Sequence, residues 1–239
     1  MPLLLPLAKL DESRRVALLI RADAWDRLHD APFFSLLLKS TANAKRVATH
    51  LAGQSLVTAT DGTPTLLRWY DPRVFRHLCW LLSETQVGRL SGPVSEWTWR
   101  DGAAQWRSHA IHDEPDALTR LNLTAEQWSV IGRLGVLNRT IVQLHRNAPE
   151  VALDDDALKR IDAHLQQAYD IHAMTDEADA RLFAEQAFRC PGIHDRTQLV
   201  QRLARARSGE ISYVGACADI DIGSTSPTER NLQRKDAVT

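Results

Sequence analysis

The spacing of apolar residues changes along the chain. In the first half, short apolar runs are broken by turn residues; from Thr124 onward apolar positions recur every three or four residues. Leu3 to Leu7 contains Pro6 and reads as an edge strand or an extended arm, because proline has no N–H to give to a ladder. Val16 to Ile20 fits either a buried strand or the middle of a helix begun at Asp11. Phe33 to Leu38 reads as a strand, and Thr41 or Asn43 then caps a helix that runs through Leu51 and stops at Gly53. Ser55 to Thr60 and Thr65 to Tyr70 predict a hairpin around Asp61-Gly62, since glycine accepts the positive φ of a tight turn. On the return strand Leu67 and Trp69 point to one face, and Leu66, Arg68 and Tyr70 to the other.

Asp71 and Pro72 mark a helix start, the first as N-cap and the second as a residue with no N–H to leave unpaired. Phe75, Leu78, Leu81 and Leu82 form its apolar stripe. Ser83 to Leu90 reads as a second short helix, ended by Gly92-Pro93. Val94 to Trp106 then sets Val94, Glu96 and Thr98 against Trp97 and Trp99, a second hairpin turning at Asp101-Gly102. Asp113, Glu114, Pro115 and Asp116 make a polar break.

Beyond the break lie four helical patterns. Trp128, Ile131, Leu134, Leu137, Ile141 and Leu144 form the first stripe; Leu158, Ile161, Leu165 and Ala168 form the second, capped by Asp154 to Asp156. Asp176 to Phe188 is the third, closed by Pro191-Gly192, and Thr197 to Arg207 the fourth, with Leu199, Val200 and Leu203 inward. The pattern predicts an α+β fold: an N-terminal α/β lobe of hairpins and short helices over 1–112, then an all-helical lobe over 117–222. Residues 223–239 are polar and read as a frayed, disordered tail.

Composition narrows the function classes. The chain has 239 residues, a net charge of -1 and 44% hydrophobic residues, which excludes an intrinsically disordered polyelectrolyte. Near-neutral charge also lacks the basic footprint of nucleic-acid binding. Cys79, Cys190 and Cys217 are far apart with no CxxC pair, so neither a zinc ribbon nor a disulfide framework is expected. The N-terminus has no basic region and is broken by Pro2 and Pro6, and no apolar run is long enough to span a bilayer. The expectation is a cytoplasmic protein with no membrane insertion. The seven tryptophans all lie at or before Trp128.

Little chemistry can be read locally. There is no GxSxG elbow, no GxxxxGK[ST] loop and no GxGxxG fingerprint. His109, His112, Asp113 and Glu114 resemble a metal cluster on paper, but Pro115 places them in a loop, and a solvated linker is expected. His145, His164, His172 and His194 share no ligand spacing. No catalytic residue, metal or cofactor is assigned. Arg73 sits in the first turn of its helix, where the dipole disfavours a cation, and so requires an acidic partner within the fold or on another protein. Arg202 and Arg205, three apart on a helix that also carries Arg207, with Arg196 just ahead, could share a face toward an acidic partner.

The string Thr60-Asp61-Gly62, then Leu66-Leu67-Arg68-Trp69-Tyr70-Asp71-Pro72-Arg73-Val74-Phe75, then Gly92-Pro93-Val94 with Trp97, resembles the domain of unknown function 4123 family. The likeness extends over about residues 1 to 110. The resemblance implies an adaptor or chaperone of the bacterial type VI secretion system, which holds a toxic effector and helps load it onto a VgrG-type spike without itself being catalytic. Members carry a further strand and helix ahead of the segment matching Pro2 to Leu7, which implies a smaller lobe or a truncated form here. Within that reading Arg68, Trp69, Tyr70, Asp71, Pro72, Arg73, Gly92 and Pro93 organise the lobe. Trp97, Trp99 and Trp106 on the second hairpin, with Arg202 and Arg205, are the expected partner contacts. Two competing classes are a metal-dependent hydrolase or nuclease using Asp71, Arg68 and linker histidines, and an immunity protein that blocks a toxin.

Overall fold

Side-chain caps set where the helices begin. In the computed structural model, which describes residues 3–29, 32–101, 105–112 and 120–219, Asp11 accepts from the Arg14 N–H at the start of α1 (Glu12–Leu28). Asn43 caps α2 (Ala44–Gly53), Asp71 caps α3 (Pro72–Leu81) and Ser83 caps α4 (Glu84–Ser91). Asp154 and Asp176 do the same for α6 (Asp155–Asp170) and α7 (Glu177–Arg189), which follow α5 (Ala125–Asn147). Each cap satisfies N–H groups that a helix leaves unpaired, and contributes about 1 kcal/mol. Helices α8 (Thr197–Arg207) and α9 (Tyr213–Ala216) are the last elements among the described residues.

The strands are short. β1 (Leu37–Lys39), β4 (Glu96–Arg100) and β5 (Trp106–Ala110) form an antiparallel sheet in the order β1-β4-β5, and β2 (Leu56–Thr58) pairs with β3 (Pro64–Leu66). The layout is α+β, with hairpins first and helices after. The run Val16 to Ile20 belongs to helix α1, and Leu3 to Leu7 is not a strand but leads into a 3-10 turn at Leu7–Lys9. The return strand of the first hairpin ends at Leu66, yet Leu67 and Trp69 are buried as their alternation predicts. Gly62 takes φ +84° in that hairpin, and the Asp61 carboxylate accepts from the Thr63 N–H at 2.9 Å. The residue after Asp101 in the second hairpin, like Asp113 to Asp116 and the tail 223–239, lies outside the described residues.

Two compact units make up the chain, Met1–Leu134 and Gly135–Thr239. The division falls inside α5 and not at the polar break near Asp113 to Asp116. Leu121 and Leu123 are buried in the core of the first unit, and Trp128 and Ile131 pack against it. The Leu121 N–H also donates to the buried Gln54 Oε1 at 2.8 Å. All seven tryptophans therefore belong to the first unit.

That unit is built around aromatic rings. The Phe75 ring stacks on Trp97 at 4.5 Å and meets Trp99 edge-on at 5.2 Å, and Trp69 lies edge-on to Trp97 at 5.8 Å. Such offset and edge contacts add to the area effect because ring edges are positive and faces negative. Two of the three buried indoles find an acceptor, Trp97 Nε1–H donating to Ser91 Oγ at 2.8 Å and Trp69 Nε1–H to Ser55 Oγ at 3.1 Å, whereas Trp99 Nε1 is buried without one.

In the second unit Leu137, Ile141 and Leu144 of α5 are buried, as are Leu158, Ile161, Leu165 and Ala168 of α6. Leu199 and Leu203 of α8 are buried too, while Val200, expected inward, is half exposed. A polar network crosses this core. Glu185 accepts from Gln143 Nε2 and Asn147 Nδ2 at 2.5 and 2.7 Å, and Gln186 Oε1 accepts from the Tyr213 hydroxyl at 2.6 Å. Burial, with help from His172 and His164, pushes the His194 imidazole down to about 4, and its ring stacks on Phe183 at 4.0 Å.

Truncating Trp97 to alanine removes a fully buried ring from the centre of the first unit. Denaturant unfolding should show a loss of about 3–5 kcal/mol for Trp97→Ala. The same change at Trp106, which is 53% exposed, should stay within about 1 kcal/mol.

Candidate functional site

The motif Arg68-Trp69-Tyr70-Asp71-Pro72-Arg73 folds on itself. Asp71 sits at the N-cap of α3, its carbonyl accepting from the Val74 and Phe75 N–H groups at 2.9 and 2.8 Å. Its carboxylate accepts from the Arg73 backbone N–H at 3.0 Å, from Arg73 Nε and Nη2 at 3.1 and 2.9 Å, and from Arg68 Nη2 at 3.0 Å. Arg73, a cation in an unfavourable first turn, thus finds its acid two residues away. Burial pushes the Asp71 carboxyl up, but the Arg73 hydrogen bonds and the charges of Arg73 and Arg68 outweigh it and hold it below its ordinary value. Trp69 and Pro72 flank this clamp, Trp69 in the core and Pro72 at the first helical position. The Tyr70 ring lies edge-on to Trp69 at 5.5 Å.

Gly92 and Pro93 close the other end of the α3–α4 pair. The His50 imidazole of α2 approaches the Arg89 and Leu90 carbonyls at 3.0 and 3.2 Å, so its Nε2 carries the proton and caps the C-terminus of α4. Gly92 has φ +53°, and a Cβ there would meet His50 Nε2 at 2.3 Å. Only glycine fits both the dihedral and the space. The Pro93 carbonyl accepts from the Ser40 hydroxyl, and the Ser95 N–H donates to the Lys39 carbonyl at 2.9 Å, which starts β4 against β1.

The three hairpin tryptophans do not form one surface. Trp97 and Trp99 point inward from β4 and are buried, a correction to their assignment as partner contacts. Trp106 pairs with Arg100 across β4–β5, so it shares the Arg100 face and stands opposite Trp97 and Trp99. It alone of the three is exposed. The arginines of α8 already have acids within the chain. Arg202 is held by Asp219 and the Ala216 carbonyl, and Arg205 by Glu210 at 2.7 Å. They do not present a shared unpaired face to an acidic partner.

Two features escaped the pattern reading. Helix α1 buries only Ala22 and exposes Val16, Leu19, Ile20 and Leu28. Val16, Leu19 and Ile20 are spaced i, i+3, i+4 and form one strip. An apolar run in a helix is ordinarily assigned to the core, so only the flanking Arg14, Arg15 and Arg21 hinted at solvent. The second feature is a pair of capping boxes, Ser83 with Gln86 and Thr124 with Gln127. Their side-chain amides hydrogen-bond each other reciprocally, Gln86 Nε2 to Gln127 Oε1 at 2.9 Å and Gln127 Nε2 to Gln86 Oε1 at 2.8 Å. The remaining N–H groups go to the Asn122 and Leu81 carbonyls at 2.8 and 3.0 Å. The S-x-x-Q and T-x-x-Q spacings are the signal that could have found them.

Among the described residues no group of three or more His, Cys, Asp or Glu side chains could hold a metal ion, and no helix is long and apolar enough to cross a membrane. Asp113 and Glu114 of the apparent metal cluster lie outside the described residues.

A carboxyl held below its ordinary value stabilises the fold above the unfolded-state value of about 3.9, and the contribution is lost as pH falls through the folded value. Asp71→Asn keeps a capping oxygen but loses the ion pairs, so it should cost less than about 1 kcal/mol at neutral pH and flatten the acid limb of a stability–pH curve. Asp71→Ala should cost a further cap contribution of about 0.5–2 kcal/mol. Urea titrations of both variants from pH 7 to 3 check the order and the limb.

No curated protein and no solved structure matches the chain. The hairpin and the Arg68–Arg73 clamp lie in the part that does find a match, which stops short of Gly92-Pro93-Val94 and Trp97: residues 1–89 match the model of the family described as Domain of unknown function (DUF4123).

Proposed function

We propose that this chain is a non-catalytic adaptor or chaperone of bacterial type VI secretion, acting in the cytoplasm to hold a toxic effector and load it onto a VgrG-type spike protein. The match over residues 1–89 supports the family side of this reading. The observation that carries the binding side is the exposed row Val16, Leu19 and Ile20 on α1, with Leu28 further along the same helix. Scattered apolar residues are normal on a surface, but a contiguous strip is characteristic of a protein-binding face. Trp106 is the hairpin tryptophan available for contact; Trp97 and Trp99 serve the core instead. Asp71, with both carboxylate oxygens engaged by arginines, supports a structural role for the clamp.

Affinity capture of the chain from its native bacterium, read by mass spectrometry, should recover a toxin together with a spike protein. Recovery of neither, with turnover of a small substrate, would overturn the reading. Leu19→Asp with Ile20→Asp should abolish capture of the toxin while changing stability by no more than about 1 kcal/mol. Unchanged capture by that variant would remove α1 from the interface.

A further inference from the structure

The β1-β4-β5 sheet ends on β5. Along an antiparallel pair, residues alternate between exchanging both backbone hydrogen bonds and turning both groups away. The Asp101 N–H donates to the Gln105 carbonyl at 2.8 Å and the Ile111 N–H to the Ser95 carbonyl at 2.9 Å, which fixes the phase. Between them the bonded pairs are Trp99 with Arg107 and Trp97 with His109. Trp106, Ser108 and Ala110 therefore turn their N–H and C=O groups away from β4. Among the described residues no backbone partner meets those groups, and all three residues are exposed.

An open strand edge is a template for another strand, and proteins ordinarily blunt it with brevity, lysine, proline or a bulge. The opposite edge follows that rule: β1 is three residues long and carries Lys39. β5 does not. It runs Trp106-Arg107-Ser108-His109-Ala110 in unbroken register with β4, without lysine, proline or glycine. The charge of Arg107 is neutralised by Asp101 at 2.9 Å.

The order of side chains identifies the strand that fits. Antiparallel pairing about a two-fold axis at Ser108 sets Trp106 against Ala110 of the second copy, and Ser108 against Ser108. An alanine leaves room for the indole. The Thr98 and Ser108 hydroxyls already lie 2.9 Å apart on that face, and the axis continues their row into the second copy. On the other face Arg107 meets His109 of the second copy, with Asp101 as counter-charge. The residues paired in this way are the ones whose backbone groups are open, so backbone phase and side-chain size call for the same register. We propose that β5 is a self-association edge that joins the three strands of this sheet to three from a second copy of the chain. The pairing rests on the sheet alone and stands independently of what the chain carries.

Sedimentation velocity of the full chain over a wide concentration range should show the average mass rising from one chain toward two. In the dimer the Ser108 and Ala110 amide protons should exchange slowly, and dilution should restore fast exchange. Ala110→Lys sets bulk and charge against Trp106 at an exposed position and should weaken association at least about tenfold. Ser108→Pro removes an N–H that β4 does not use and should abolish association; Ser108→Ala keeps that N–H and should still dimerise. Leu19→Asp with Ile20→Asp, on α1, should leave association unchanged. A single-chain mass at every concentration, undiminished association in Ala110→Lys, a fast-exchanging Ser108 amide in the dimer, or loss of the dimer in the α1 variant would each overturn the assignment.

Discussion

The first unit depends on one ring being out of water. Trp97 is fully buried, and three elements are defined by how they reach it: α3 through Phe75, the segment after β3 through Trp69, and the end of α4 through the Ser91 hydroxyl on the indole N–H. A large aromatic surface gives most of the burial energy, and the single polar atom decides the orientation. Rotating the ring away from Ser91 would leave an indole N–H buried without an acceptor, a penalty of about 1–3 kcal/mol. One residue therefore fixes both where the sheet sits and how α4 must end.

Around that ring, helix ends close the unit. His50 caps the last turn of α4 where Gly92 makes room, and the paired glutamines tie the start of α4 to the start of α5. Asp71 does the corresponding work at α3, with two guanidiniums neutralising its charge. Short helices have few internal hydrogen bonds and a high proportion of unpaired ends, so they rely on such contacts. This explains why motif residues that look chemically active, an aspartate between two arginines above all, are occupied in holding the fold.

Much of this was legible from local rules. The Asp71-Pro72 start, a cap at Thr41 or Asn43 (the structure uses Asn43), and the inward stripe of α6 follow from capping chemistry and a 3.6-residue period. What was not legible turns on parity and partners. Trp106 faces away from Trp97 because its register partner is Arg100. The edge of the first unit was placed at a polar break, yet Leu121 and Leu123 beyond it complete the core. Arg73 called for an acid, but only coordinates show that the helix cap itself supplies it. The face of α1 could not be assigned because an apolar run says nothing about whether anything covers it.

The distribution of indoles has an optical consequence. Every tryptophan lies in Met1–Leu134, whereas Gly135–Thr239 contains Tyr169 and Tyr213 as its only phenols. Emission excited at the red edge of the indole band therefore originates in one unit alone. Far-ultraviolet circular dichroism, weighted toward the helices of both, reports the whole. Disagreement between the two signals during unfolding would separate the units without any label.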